Sequence, residues 1–163
     1  MKKSLIYAGA VLTLAAAVLI PANYATAKMN NGRVPHIDGN VQFPPYARWQ
    51  LIRYTFRLHI PQNSKAITQL IINVPNNVTI SADIKNIDIV NENGQKINTN
   101  ISVNSKTVSL AFLESVAPNT KLDIDLKNVK RSTLGNSVIY RFSAKFVGSD
   151  EDIPIGIAQF RIY

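Results

Sequence analysis

Residues 49–61, WQLIRYTFRLHIP, carry apolar side chains at every second position. Tyr54, Phe56, Leu58 and Ile60 share one side of an extended chain, and Arg53, Thr55, Arg57 and His59 share the other. A period of two is the pleat of a strand with one face buried, whereas a helix would space its apolar residues three or four apart. The same period returns along most of the chain. LIINV ends at the turn signal Pro75-Asn76-Asn77, and Asn93-Gly94 sits between two apolar runs, a strong hairpin signal. NISV and TVSLAF flank Asn104-Ser105-Lys106 as a second hairpin.

After the turn Ala117-Pro118-Asn119-Thr120, the pattern points Leu122, Ile124 and Leu126 inward and Asp123, Asp125 and Lys127 outward. Val138, Tyr140, Phe142, Ala144 and Phe146 face in on the next run. On the last run Ala158, Phe160 and Ile162 oppose Gln159, Arg161 and Tyr163. About eight strands at intervals of roughly ten residues predict an all-β fold, an antiparallel immunoglobulin-like β-sandwich over residues 49–163. Residues 28–48, rich in Pro and Gly and without apolar periodicity, read as an extended leader. Within it, Gln42-Phe43-Pro44-Pro45-Tyr46 together with Trp49 is expected to fold back over a sheet edge.

Residues 1–27 have the three-part layout of a cleaved signal peptide: Lys2 and Lys3, an apolar run from Leu5 to Ile20, then Pro21 and Ala25-Thr26-Ala27. The run is short for a retained membrane anchor, which needs about 20 apolar residues. Without a Cys, the chain has neither a lipoprotein attachment site nor disulfides nor thiolate chemistry. About 136 residues would remain after cleavage, enough for one domain with an ordinary core. This favours the periplasm of a Gram-negative type of envelope, with a thylakoid lumen or the cell exterior as alternatives.

The resemblance to a known family rests on Trp49, Tyr54-Thr55-Phe56 and Pro61, then Leu70 with Ile72, and then the turn Ala117-Pro118-Asn119-Thr120 leading into Lys121-Leu122. It closes with Tyr140-Arg141-Phe142, Gly148, Gly156 and Arg161-Ile162-Tyr163. In these the chain resembles a family of exported cyanobacterial domains of unknown function, with Asn119 standing where that family favours Gly. The resemblance implies an exported all-β domain and no particular activity.

Catalytic groups are scarce. His36 and His59 are the only histidines, no Gly-x-Ser-x-Gly elbow surrounds a serine, and the acids fall at outward or turn positions. The sequence therefore predicts no catalytic residues, no enzyme activity and no cofactor. Residues Gly148 to Asp152 lack the ligand spacing of a calcium hand and read as a solvated turn.

The formal charge of +8 falls to about +6 without Lys2 and Lys3 of the signal segment. Export argues against nucleic acid as a partner and leaves an envelope protein or an anionic polysaccharide. The candidate partner-binding residues are Arg53, Arg57, His59, Arg141, Lys145 and Arg161, which form one cationic face only if their strands share a sheet. The competing expectation is that Asp123 and Asp125 lie across from the arginines and neutralise them. An alternative function is metal handling through His36, Asp38 and His59.

Overall fold

The computed structural model describes residues 33–45, 51–131 and 137–161. Residues 1–27, read as a signal peptide, and Tyr46, Trp49, Ile162 and Tyr163 lie outside the described residues. Two antiparallel five-stranded sheets pack face to face as an immunoglobulin-like sandwich. The described residues form ten strands, two more than the sequence suggests: β1 (His36–Phe43), β2 (Leu51–Ile60), β3 (Ile67–Asn73), β4 (Val78–Thr79), β5 (Ile87–Asn91), β6 (Thr99–Asn104), β7 (Thr107–Val116), β8 (Thr120–Arg131), β9 (Ser137–Phe146) and β10 (Ile153–Arg161). The first sheet runs β1-β2-β8-β4, with β5 also paired to β8. The second runs β10-β9-β3-β7-β6. Among the described residues no helix is long and apolar enough to cross a membrane.

The alternation holds where it is clearest. Tyr54, Phe56, Leu58 and Ile60 of β2, Leu122, Ile124 and Leu126 of β8, and Val138, Tyr140, Phe142 and Ala144 of β9 are all buried. Aromatic rings bind the two sheets together. Phe56 of the first sheet meets Tyr140 at 4.9 Å and Phe142 at 5.0 Å, and Tyr54 meets Phe160 at 4.4 Å, with tilted or edge-on geometry that suits ring quadrupoles.

The turns follow their chemistry. Gly94 adopts φ 75° at the tip after β5, where Asn91 accepts the Gly94 N–H. The expected hairpin there reduces to the single bridge Val90–Lys96. The β6–β7 hairpin forms as predicted, with Asn104 opposite Thr107. Asn119, at φ 59°, takes the left-handed conformation that Gly or Asn tolerates best, as the chain leaves β7 in one sheet for β8 in the other.

Part of the supposed leader is a strand. β1 pairs along β2 from His36↔His59 to Phe43↔Arg53, with a bulge between Ile37 and Gly39. That extra residue, together with polar Asn40 and Gln42, breaks the period of two and hid the strand. Of the patch expected to fold over a sheet edge, Gln42 and Phe43 end β1 and pair along β2, Pro44 and Pro45 follow the strand, and Tyr46 and Trp49 lie outside the described residues; β1 also approaches β10 through the Asn40 side-chain N–H, which donates to the Gln159 carbonyl at 3.0 Å.

Candidate functional site

The strand order separates the basic residues. Arg53, Arg57 and His59 lie on β2 in the first sheet, whereas Arg141 and Lys145 on β9 and Arg161 on β10 belong to the second. The single cationic face that would require a shared sheet does not form, because the two sets look outward from opposite sides of the sandwich. β8 lies beside β2 instead, and its register sets Asp123 opposite Arg57 and Asp125 opposite Thr55. The Thr55 hydroxyl donates to Asp125, and Arg57 Nε lies 3.9 Å from Asp123 Oδ1. Arg53 turns toward the Phe43 ring, 6.0 Å from its centroid. Further along, Asp88 of β5 receives Lys127 and Lys96. The hydrogen bond from Lys127, and secondarily that from Lys96, hold the Asp88 carboxyl below the usual aspartate range despite partial burial.

At one end of this face the ladder assembles the three residues of the alternative reading. His36 and His59 are cross-strand partners, their rings edge-on with centroids 5.2 Å apart. The bulge in β1 brings Asp38 between them: Asp38 Oδ1 lies 2.7 Å from His36 Nε2, and Oδ2 lies 3.4 Å from His59 Nδ1. One ligand atom from each residue falls within 4.8 Å of the other two. On its other side, His36 Nδ1 lies 3.1 Å from the Val34 carbonyl oxygen. Asp38 also lines a cleft of about 350 Å³, with Arg57, Leu58, Glu92, Lys121 and Asp123.

The outer face of the second sheet is different in kind. Asn104, Thr107, Asn73 and Arg141 form one cross-strand row on β6, β7, β3 and β9; in the two neighbouring rows Ile71 interrupts Ser102, Ser109 and Ser143, and Ala111 separates Asn100 from Gln69 and Lys145. Gln69 donates to the Ser109 hydroxyl. Arg141, exposed within the first row, has Asn73 and Ile157 as its cross-strand neighbours, and Arg161 has Ser137. Lys145 reaches Asp152 at 3.7 Å.

Residues 26–158 match the family described as "Protein of unknown function (DUF2808)". The chain belongs to the DUF2808 family. No curated protein matches it in sequence. Among solved structures the DUF2808 chain is similar to BslA, described as a bacterial hydrophobin, with 15% identity and a TM-score of 0.53. That alignment covers 79% of this chain and 98% of the other. It is also similar to the N-terminal domain of the Streptococcus gordonii adhesin Sgo0707, with 8% identity and a TM-score of 0.55, over 80% of this chain and 32% of the other. At these identities the likeness is one of fold.

A buried polar group in this DUF2808 chain escapes the sequence reading. Arg131 is 6% exposed and donates to Gln42 Oε1 at 3.4 Å. The cause is a second bulge: between Ile52 and Tyr54 the β2–β8 register slips, and Asn128 adopts φ 52°. Beyond it the inward phase of β8 switches from Leu122, Ile124 and Leu126 to Val129 and Arg131. The out-of-phase Val129 was the available signal. Nearby, burial raises the Tyr54 hydroxyl above its ordinary pKa, with Arg131 pulling partly back. Burial, reinforced by Tyr54, raises the Tyr140 hydroxyl much further.

Proposed function

We propose that this chain is an exported, non-enzymatic binding or structural domain of the cell envelope that engages an anionic polysaccharide through the outer face of its second sheet. The observation that carries this reading is the contrast in charge compensation. Thr55, Arg57, Asp123, Asp125 and Asp88 meet partners across the first sheet, whereas Arg141 stands beside uncharged neighbours in the row of Asn104, Thr107 and Asn73. Such amides and hydroxyls hydrogen-bond to sugar hydroxyls, and the planar guanidinium fork of Arg141 and Arg161 suits a carboxylate. A sandwich like those of a bacterial hydrophobin and a streptococcal adhesin domain supports a binding or structural role. Placement in the periplasm, in a thylakoid lumen or on the cell surface follows from the signal-like residues 1–27, and N-terminal sequencing of the recovered protein should begin at Lys28.

Affinity electrophoresis through gels carrying a uronic-acid polysaccharide tests the reading. Retardation is expected in low salt, relieved by added salt and by the Arg141→Ala, Lys145→Ala variant. Equal mobility with and without the polysaccharide would reject this partner, and crosslinking in the native envelope would then report whether a protein takes its place.

A further inference from the structure

We infer that His36, Asp38 and His59 form a binding site for a divalent transition-metal ion of the imidazole-preferring class, Zn²⁺ being the representative case. The inference is independent of the polysaccharide reading, which concerns the opposite face.

His36 stands between two oxygen atoms. Nδ1 faces the Val34 carbonyl oxygen at 3.1 Å, and Nε2 faces the Asp38 carboxylate at 2.7 Å. Both partners of the ring are acceptors, so a neutral imidazole, with one N–H, satisfies only one of them. With Nδ1–H on the Val34 carbonyl, the Nε2 lone pair faces the carboxylate, and a cation between the two satisfies both. Anchoring of Nδ1–H on a backbone carbonyl is the arrangement that fixes the tautomer of a metal-ligating histidine and presents Nε2 as the ligand.

The backbone supports the remaining ligands. His36 and His59 are held as a pair by the β1–β2 ladder, and the bulge between Ile37 and Gly39 directs Asp38 between them. In a tetrahedral Zn²⁺ site with bonds near 2.0–2.1 Å, ligand atoms lie about 3.4 Å apart. His59 Nδ1 and Asp38 Oδ2 already have that separation at 3.4 Å, while His36 Nε2 lies 2.7 Å from the other carboxylate oxygen, Oδ1, and has to move away by about 0.7 Å. Two imidazoles and one carboxylate leave a position for water or a partner's ligand, as three-residue zinc sites do. Ca²⁺ and Mg²⁺ fit poorly, because they take oxygen shells. The neighbouring cleft contributes charges of both signs: Arg57 and Lys121 oppose a bound cation, and Glu92 and Asp123 together with Asp38 favour it. All three ligand side chains are partly exposed, so an ion reaches them from solvent.

The ion would tie the edge strand β1 to β2. Calorimetric titration of Zn²⁺ into the metal-stripped chain, prepared without an oligohistidine tag, should show saturable uptake of one ion per chain. The melting temperature should rise by roughly 5–15 °C at a hundredfold excess over Kd. The His36→Gln, His59→Gln variant should lose affinity by at least about a hundredfold. Should that variant fold poorly, imidazole nitrogen resonances of the unaltered protein replace it, and Zn²⁺ should shift Nε2 of His36 and Nδ1 of His59. Absence of saturable uptake, unchanged affinity in the variant, or unmoved imidazole resonances would each overturn the site.

Discussion

On the first sheet, charged groups answer one another across the strands: Asp123 faces Arg57, Asp125 takes the Thr55 hydroxyl, and Asp88 collects two lysines. On the second, amides and hydroxyls of β3, β6 and β7 share the equivalent rows with Ile71 and Ala111, and Arg141 stands among them with uncharged neighbours. Both faces arise from the same alternation, so polarity of the outward residues alone does not distinguish them. What differs is that Arg57 lies across from Asp123, whereas Arg141 has only uncharged cross-strand neighbours; Arg53 and Lys145 do not follow the contrast, since Arg53 faces the Phe43 ring and Lys145 reaches Asp152. Cross-strand ion pairs at a surface contribute only about 0.2–1 kcal/mol each, yet they consume the directional capacity of the groups they join. An arginine such as Arg141, without a charged cross-strand neighbour among the described residues, keeps that capacity for an external partner.

Both faces rest on one shared core. Phe56→Ala removes a ring that contacts Tyr140, Phe142 and Phe160 across the sandwich and should cost about 3–5 kcal/mol in urea unfolding. A loss below about 1 kcal/mol would mean that the sheets are held independently. Next comes the crossing between them: Asn119→Val forces a β-branched residue to φ 59° and should destabilise by about 1–2 kcal/mol, whereas Asn119→Gly should be nearly neutral.

Smaller still is the charge network of the first sheet. Asp88→Asn should cost about 1 kcal/mol or less, measured by the same denaturation. Because the Asp88 carboxyl titrates below its ordinary value of 3.8 when folded, its contribution is present above about pH 4 and is lost as pH falls through the depressed native pKa. The variant should therefore lose that part of the acid dependence. On the second sheet, Ser102→Ala should change stability by no more than about 0.5 kcal/mol. A larger loss would mark its outer face as structural rather than available.

Much of the sandwich was legible because β2, β8 and β9 keep strict phase through long apolar alternations, and a one-residue slip would expose the entire row. β1 was not, since its bulge and its polar Asn40 and Gln42 give no period to detect. Arg131 was hidden for a related reason: a bulge at Asn128 reverses the phase within a single strand, and counting residues cannot place an irregularity of the ladder. His36, Asp38 and His59 were legible as residue types able to hold a metal, but their meeting was not, because it depends on pairing between strands separated in sequence.

The sequence by itself determined the fold class, the buried face of each regular strand and most turns, since these depend on short-range periodicity and on the backbone preferences of Gly, Asn and Pro. Only the tertiary structure decided which strands are neighbours. That decision set Asp123 beside Arg57, moved Arg141 and Arg161 to the opposite side and joined His36 to His59. Strand order is fixed by how the two sheets close over a common core, and the outward residues that define each face contribute too little burial energy to choose it.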